Sequence, residues 1–481
     1  MPADGQTLGP EQLPVASSAE LTSTAAGHRV TWRLEMPYFG ALWRPLIARR
    51  ARRIERAADR GEPLPRDRPW WAPPEHLGPE QQATIAIAAL LTAIYSFGGG
   101  TLGLLSTTLP AAADIYGADD STLAVGLAVV RGGVVVALLV GTLADRLGRR
   151  RVIVSAAIAH CVLVAAIGLA PGFGLYVGGH LLLRTIDTAL AIALAVIVIE
   201  RVPARSRATS LALLAVASGI GIGLATLALP LAESGRAGFA LAYGAQLLAI
   251  PLVLSAARTL EESPRFIRHQ SEPHAYRELL AAPYRRRLLM LGIATLLAAA
   301  FVAPALEFLT QYLTDGRGLS AGAAVLLLGL MGLAAGPGLI GGGILADSHG
   351  RRTVAIPAFI ASLAAFVAFY LGSGILPWIA GPIAAAIGAA GGAAAGPYGG
   401  ELFPTRIRSA AQTLILVLTI VGSVLGLGAI ALLRDSLTLG EAIAANGLGA
   451  VVAIIIFIAY FPETAGRDLD ETSIDSPAAR P

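Results

Sequence analysis

Long apolar runs alternate with short polar turns from residue 83 to residue 461. The pattern predicts twelve membrane spans, at 83–110, 122–144, 152–171, 174–200, 208–232, 237–257, 288–313, 320–346, 354–373, 375–401, 409–433 and 439–461. A run such as Thr122–Leu143 carries a single charge, Arg131. It is long enough to cross a hydrocarbon core of about 30 Å at ~1.5 Å per residue. Two stretches break the pattern. Residues 1–81 are polar and rich in Arg and Pro, with no apolar core of a signal peptide near the start. Residues 258–287 are hydrophilic, carrying Arg258, Arg265, Arg268, Arg277, Arg285, Arg286 and Arg287.

The two sides of that hydrophilic stretch repeat each other. Gly141-Thr-Leu-Ala-Asp145-Arg146-Leu-Gly148-Arg149-Arg150 returns as Gly343-Ile-Leu-Ala-Asp347-Ser-His-Gly350-Arg351-Arg352, an offset of 202 residues. Glu200-Arg-Val-Pro203-Ala-Arg-Ser-Arg207 returns 201 residues later as Glu401-Leu-Phe-Pro404-Thr-Arg-Ile-Arg408. Glu262-Ser-Pro264-Arg265 and Pro462-Glu463-Thr464-Ala-Gly466-Arg467 keep the offset of 201. Three pairs at one spacing indicate a duplicated chain. The expected architecture is therefore an all-α membrane protein with twelve transmembrane helices in two pseudo-symmetric six-helix bundles, a plan common among secondary transporters. The expected units are an extension at 1–81, bundles at 82–257 and 288–466 joined by a loop at 258–287, and a tail at 467–481.

Composition agrees. The 481 residues are 55% hydrophobic and 14% charged, with mean hydropathy +0.67; soluble domains carry roughly 25% charged residues. One cysteine, Cys161, excludes an intrachain disulfide framework. Neither a metal-ligand cluster, a nucleophile elbow nor a phosphate loop is present, so no enzyme, no metal and no cofactor are expected. All 36 basic residues are Arg, and 31 of them fall in alternate loops beginning with the N-terminus. The positive-inside rule then puts both termini in the cytoplasm of a cell-membrane protein. The basic pI is explained by these loops and does not imply nucleic-acid binding. Within the extension, Pro45–Asp59 reads as a short helix with Trp43, Leu46, Ile47 and Ile54 opposing Arg49, Arg50, Arg52, Arg53 and Arg56. It is either an interfacial helix on anionic lipid or a solvated basic linker.

The doubled Gly-x-Leu-Ala-Asp-x-x-Gly-Arg-Arg pattern resembles the signature of the major facilitator superfamily. The Glu-x-x-Pro-x-x-x-Arg, Glu-Ser-Pro-Arg and Pro-Glu-Thr-x-Gly-Arg patterns resemble its sugar-porter branch and neighbouring metabolite:proton symporters. The resemblance covers about residues 83–472. Physically, Gly141 lets two helices touch, Gly148 allows a sharp turn, and Asp145 can accept from a neighbouring helix N-terminus or pair with Arg. The resemblance implies a cytoplasmic gate made of Gly141, Asp145, Arg146, Gly148, Arg149, Glu200 and Arg207 in the first half. Its second-half members are Gly343, Asp347, Gly350, Arg351, Glu401 and Arg408. The bland alternative is that these residues only set topology. As exposed pairs worth about 0–1 kcal/mol each, they would suit a latch that must open.

Charges inside spans are the sharper signal, since each costs about 2.5–3.5 kcal/mol at mid-membrane. His180, Arg184 and Asp187 share a helical face. Asp187 lies 13 residues before Glu200, ~20 Å from the helix end. With Arg131 they suggest a polar cavity. Asp187, Glu307 and His180 are proton-coupling candidates, Arg131 and Arg184 substrate-cavity candidates. A static buried Arg–Asp pair is the alternative, and His160 reads as a polar residue bonded to backbone or a neighbouring helix. Departures from the sugar-porter pattern are plain: span one has no carboxylate, His180 stands where the pattern has Arg, and span seven lacks the paired glutamines. The expected function is alternating-access transport of a small organic solute, sugar or organic-acid-like metabolite, by proton symport. The alternatives are proton-coupled export of a drug or metabolite, and a non-transporting receptor, which would need a folded signalling domain. The expected partners are substrate, protons and the lipid bilayer, with no nucleic acid, and the expected state is a monomer.

Overall fold

The computed structural model describes residues 6–9, 11–14, 16, 18–24, 27–34, 40–69, 71–99, 103–119, a few positions between 122 and 133, then 148–262, 275–404 and 407–467. Most of the expected second span, with Arg131, Gly141, Asp145 and Arg146, lies outside the described residues, as do Arg265 and the tail from 468. Among the described residues, eleven helical segments are long and apolar enough to span a membrane.

The first half contributes α2 (Pro79–Gly98), α3 (Arg149–Gly168), α4 (Phe173–Arg201), α5 (Arg207–Leu227) and the helical stretch α6 (Arg236–Thr259). The second half contributes α7 (Ala282–Glu307), α8 (Ala321–His349), α9 (Arg351–Leu371), α10 (Leu376–Ala395), α11 (Arg408–Leu433) and α12 (Leu439–Tyr460). The expected first span is not one helix. α2 stops at Gly98, where a Gly98-Gly-Gly run has little helix propensity, and short helices resume at Leu104–Thr107 and Leu109–Tyr116. α7 likewise gives way after Glu307 to a short helix at Leu309–Gln311 and a π turn at Tyr312–Gly316.

The duplication is visible in how helices begin. α3 and α9 each start after a glycine at positive φ, Gly148 at 98° and Gly350 at 110°, a turn that L side chains resist. Each new N-terminus is capped by a distant carboxylate. Glu262 accepts from the backbone N–H of Arg149 (3.0 Å) and Arg150 (3.2 Å), and Glu463 from those of Arg351 (2.8 Å) and Arg352 (3.0 Å). A carboxylate there satisfies orphan donors and complements the helix dipole. The second arginine of each pair reaches back along the last helix of its own bundle. Arg150 donates to the carbonyls of Leu260 and Ala257, and Arg352 to those of Phe461 and Ile458.

The N-terminal extension is folded. Strands β1 (Gln6–Thr7), β2 (Ser18–Thr24) and β3 (Gly27–Arg33) form an antiparallel sheet in the order β1-β2-β3, with Leu21 opposite Val30. Helix α1 (Gly40–Asp59) lies against it. Trp43, Ile47, Ala51, Ile54 and Ala58 recur at helical spacing and are buried with Leu13, Leu21, Val30 and Trp71. The stripe suggested for lipid therefore faces a protein core; an apolar stripe along a helix does not by itself say which apolar surface will cover it. Buried Arg50 ties the module together, its Nε donating to the carbonyl of Gln12 (3.0 Å) and Nη2 to those of Pro65 (3.1 Å) and Asp67 (2.6 Å). The module docks on the loop between α4 and α5: Ser206 Oγ donates to the carbonyl of Glu75 (3.0 Å), and Glu75 Oε2 accepts from the N–H of Arg205 (3.3 Å).

Arg50→Ala removes the donor from three carbonyls, a loss of about 2–3 kcal/mol at ~1 kcal/mol each. We expect limited proteolysis to cut residues 6–77 in this variant while the helical bundles remain protected; equal resistance in both proteins would show that Arg50 is not the module's tie.

Candidate functional site: a charged seam and a buried His–Asp pair

Two clusters of buried charge occupy the helical region. The first lies where the duplicated motifs meet, between the bundles. Glu200, near the end of α4, accepts from Arg149 Nη2 of its own bundle (3.2 Å) and from Arg408 Nη1 of the other (2.6 Å). Glu401, its counterpart, accepts from Arg351 of its own bundle (2.7 Å) and from Arg207 Nη1 of the other (3.3 Å). Each glutamate thus holds one arginine from each half. The crossing arginines are aimed by their own chains: Arg207 Nε donates to the Ile199 carbonyl (3.1 Å), and Arg408 Nε to that of Gly400 (2.7 Å).

Asp347 adds a third tie. It accepts from Arg351 Nη1 (2.9 Å) and, across the seam, from Ala208 N (3.1 Å), Thr209 N (2.7 Å) and Thr209 Oγ1 (2.7 Å). Its partner is the N-terminus of α5, where an anion is favoured. Gly343 permits this approach, since a Cβ there would lie 2.8 Å from Thr209 Cα. Arg351 Nη2 also donates to the Ala204 carbonyl (3.1 Å). Hydrogen bonds that cross between bundles gather at this end among the described residues.

The seam is buried, not exposed as a surface latch would be: Arg149, Arg351, Arg408 and Glu401 are fully inaccessible, and Glu200 is 8% exposed. Close packing at Gly343, against the backbone of Ala208 and Thr209, and at Gly400, against the Ile199 side chain, excludes water from the charges. Among the described residues, the arginines at 149, 207, 351 and 408 meet three carboxylates, Glu200, Glu401 and Asp347.

The second cluster lies near mid-span. Asp187 of α4, 3% exposed, bonds His160 Nδ1 of α3 at 2.6 Å. α2 ends directly on this pair. A Cβ on Gly99 would fall 1.7 Å from Asp187 Oδ2, and one on Gly98 2.9 Å from His160 Nε2. His160 Nε2 is buried without a hydrogen-bond partner among the described residues. Arg184, one helical turn away, is half-buried, and Tyr95 of α2 is within electrostatic reach of both Asp187 and Arg184. His180 is elsewhere: its ring bonds Tyr243 Oη (3.2 Å) and packs on Tyr176 in an aromatic cluster. Glu307, the last residue of α7, is exposed.

Sequence reasoning missed three of these residues as site members. Glu262 and Glu463 were signalled by their shared offset. His160 carried no signal beyond its polarity within an apolar run.

A model described as the Major Facilitator Superfamily matches residues 85–398. The chain belongs to this superfamily. Solved structures of the superfamily share its fold. The proton:xylose symporter XylE bound to 6-bromo-6-deoxy-D-glucose aligns with TM-score 0.66 at 18% identity, over 82% of this chain and 98% of that one. FucP in the outward conformation aligns with TM-score 0.66 at 15% identity, over 78% and 98%. The human organic anion transporter MFSD10 aligns with TM-score 0.59 at 15% identity, over 79% and 100%. No curated protein matches the sequence significantly. As a major facilitator superfamily member the chain is a multi-pass membrane transporter rather than an enzyme.

Removing one partner of a buried ion pair costs about 3–5 kcal/mol. Glu200→Gln leaves Arg149 and Arg408 facing each other, and Gly343→Val forces α8 off α5. With Cys161 replaced and a reporter cysteine at Ala204, both variants are expected to raise thiol labelling by at least about tenfold, the equivalent of 1.4 kcal/mol. Unchanged labelling in both would show that these contacts do not hold the seam.

Proposed function

We propose that this protein moves a small organic solute across the cell membrane by alternating access coupled to protons, as a symporter. The observation that carries the reading is the buried His160–Asp187 pair beneath the end of α2. A buried carboxylate–imidazole couple can take up or release one proton, and a helix end resting on it would sense the change. Glycines at 98 and 99 leave room for the pair but no space for a side chain between them, so movement of α2 would alter its solvation directly. Tyr95 and Arg184 also lie near Asp187.

The charged seam supports the alternating part. By the arginine distribution it faces the cytoplasm, with both termini inside. Closed, it would leave a cavity open to the outside; parting the bundles would rehydrate every charge at once. By pseudo-symmetry Asp145 would serve the start of α11 as Asp347 serves that of α5, which would supply the fourth carboxylate. Arg184, with Arg131, would lend the cavity positive character. Sugar and organic-acid-like substrates both remain in view, since the structural neighbours include a proton:xylose symporter and an organic anion transporter. The duplicated bundles are read as units 82–257 and 288–466.

One observation favours a second reading, a transporter-like receptor. The described residues between 6 and 77 form a folded module bonded to the loop that leads into the seam. Proteoliposomes decide between the two. A transporter accumulates solute from a panel of sugars and organic acids under an inward proton gradient; a receptor binds but does not accumulate.

Asp187→Asn is expected to abolish gradient-driven accumulation while sparing counterflow exchange, which needs binding and helix motion but no net proton transfer. His160→Gln keeps a hydrogen-bonding side chain without a titrating ring and is expected to shift the pH profile of uptake. If Asp187→Asn still accumulates solute, coupling lies elsewhere and Glu307 is next. If both activities vanish in a folded protein, Asp187 binds substrate or holds the structure.

A further inference from the structure

A cavity of about 290 Å³ opens on the outer wall of the second bundle, between the start of α7 and the end of α12. Arg286, Arg287 and Tyr460 form its polar rim, and Met290, Leu402 and Phe461 are among its apolar walls. Phe461 is buried, stacking on Phe457 at 4.8 Å between centroids. The Arg286 guanidinium is held 5.3 Å over the Tyr460 ring. None of the described residues lining the cavity is acidic. Below it, along the same two helices, Leu289, Ile293, Ile455 and Ile458 are exposed apolar side chains facing outward from the bundle. The cavity therefore joins two guanidiniums to an apolar wall at the level where membrane-spanning helices end.

The duplication supplies an internal comparison. At an offset of 201, Arg286 and Arg287 correspond to Ile85 and Ala86, and Leu402 to Arg201. In the first half that arginine is neutralised within the chain, by Glu261 at 2.7 Å and Glu80 at 3.6 Å. Ala86 is buried in the core of the N-terminal module. The corresponding place is thus covered by the N-terminal module in one half, and opens as an arginine-lined cavity in the other. The fold does not require the cavity.

We propose that this cavity binds the headgroup of an anionic phospholipid. The arginines would meet the phosphodiester, Tyr460 the headgroup border, and the exposed aliphatic residues the acyl chains; basic pockets between membrane helices recognise lipids in this way, and Arg–phosphate pairing is favoured by guanidinium geometry. The site shares Phe461 with the Arg352 grip that fixes the start of α9, so the lipid would brace the helix carrying Arg351 of the seam. The proposal needs only that the helices cross a bilayer, and it stands or falls independently of proton coupling.

The test uses the full chain purified in detergent, titrated with phosphatidylglycerol, phosphatidylcholine or inorganic phosphate, and read by native mass spectrometry. Wild type is expected to retain phosphatidylglycerol in preference to phosphatidylcholine. R286Q/R287Q is expected to bind phosphatidylglycerol roughly thirty-fold more weakly, the equivalent of losing two juxtamembrane arginines. Arg434→Gln, at the opposite end of the bundle, should change nothing. Equal retention of both lipids, or by both proteins, overturns the proposal. Displacement of the lipid by millimolar phosphate reassigns the site to a free anion and overturns it as well. Should the double variant fail to fold, a photoactivatable phosphatidylglycerol on the wild-type protein must label peptides from 286–293 or 455–462; labelling elsewhere rejects the site.

Discussion

The structure depends on one exchange: each half of the duplicated chain lends an arginine to the other half's glutamate. Arg408 reaches Glu200 and Arg207 reaches Glu401, and each glutamate keeps an arginine of its own. Burying such charges costs several kcal/mol per ion, and the Coulombic return depends on geometry. Pairing each glutamate with two arginines brings the network closer to balance, although Glu200 Oε2 is buried without a hydrogen-bond partner among the described residues. Parting the bundles would surrender the pairing but recover the hydration, so the closed and open forms can lie close in free energy even though each bond, cut singly, is expensive. Burial makes the seam all-or-none, which isolated surface pairs would not do.

Around that exchange the chain is stiff. Glu262 and Glu463 cap α3 and α9 from the far ends of their bundles, and Arg150 and Arg352 hold the carbonyls of the last helices. These ties stay within a bundle. Among the described residues, those that cross gather around Glu200, Glu401, Asp347 and Ala204, with Arg207 also donating to the Arg467 carbonyl (3.3 Å). Intramolecular bonding is thus divided between what ties each bundle together and what joins the two, as rigid-body motion between repeats would require.

Much of this was legible in the sequence, because duplication writes every tie twice. Asp347, Glu401 and Arg408 stood out by offset before any contact was known, and apolar runs placed most helices. The mid-span pair was not legible. His160 and Asp187 are 27 residues apart on different helices, and neither is repeated: positions 361 and 388 hold Ala and Gly. Arg184 was the nearer partner in sequence, and only helix packing brings His160 in. The break after Gly98 and the sheet that covers α1 were hidden for a related reason. Both depend on what lies opposite the segment, and a hydrophobic pattern describes only one side of a contact. Burial of the seam escaped likewise, since charged motifs at helix ends look alike whether or not a second bundle closes over them.

The tie between Glu75 and the Arg205–Ser206 turn has a mechanical consequence. That turn leads directly into Arg207, one of the two arginines that cross the seam. A load applied to the N-terminal module would therefore reach the seam through these few hydrogen bonds. The module is a lever arm whose short end is the α4–α5 turn. Anything that anchors it, whether a surface attachment, a bulky fusion or a crowded neighbour, would do work on the joint between the bundles without touching a membrane helix.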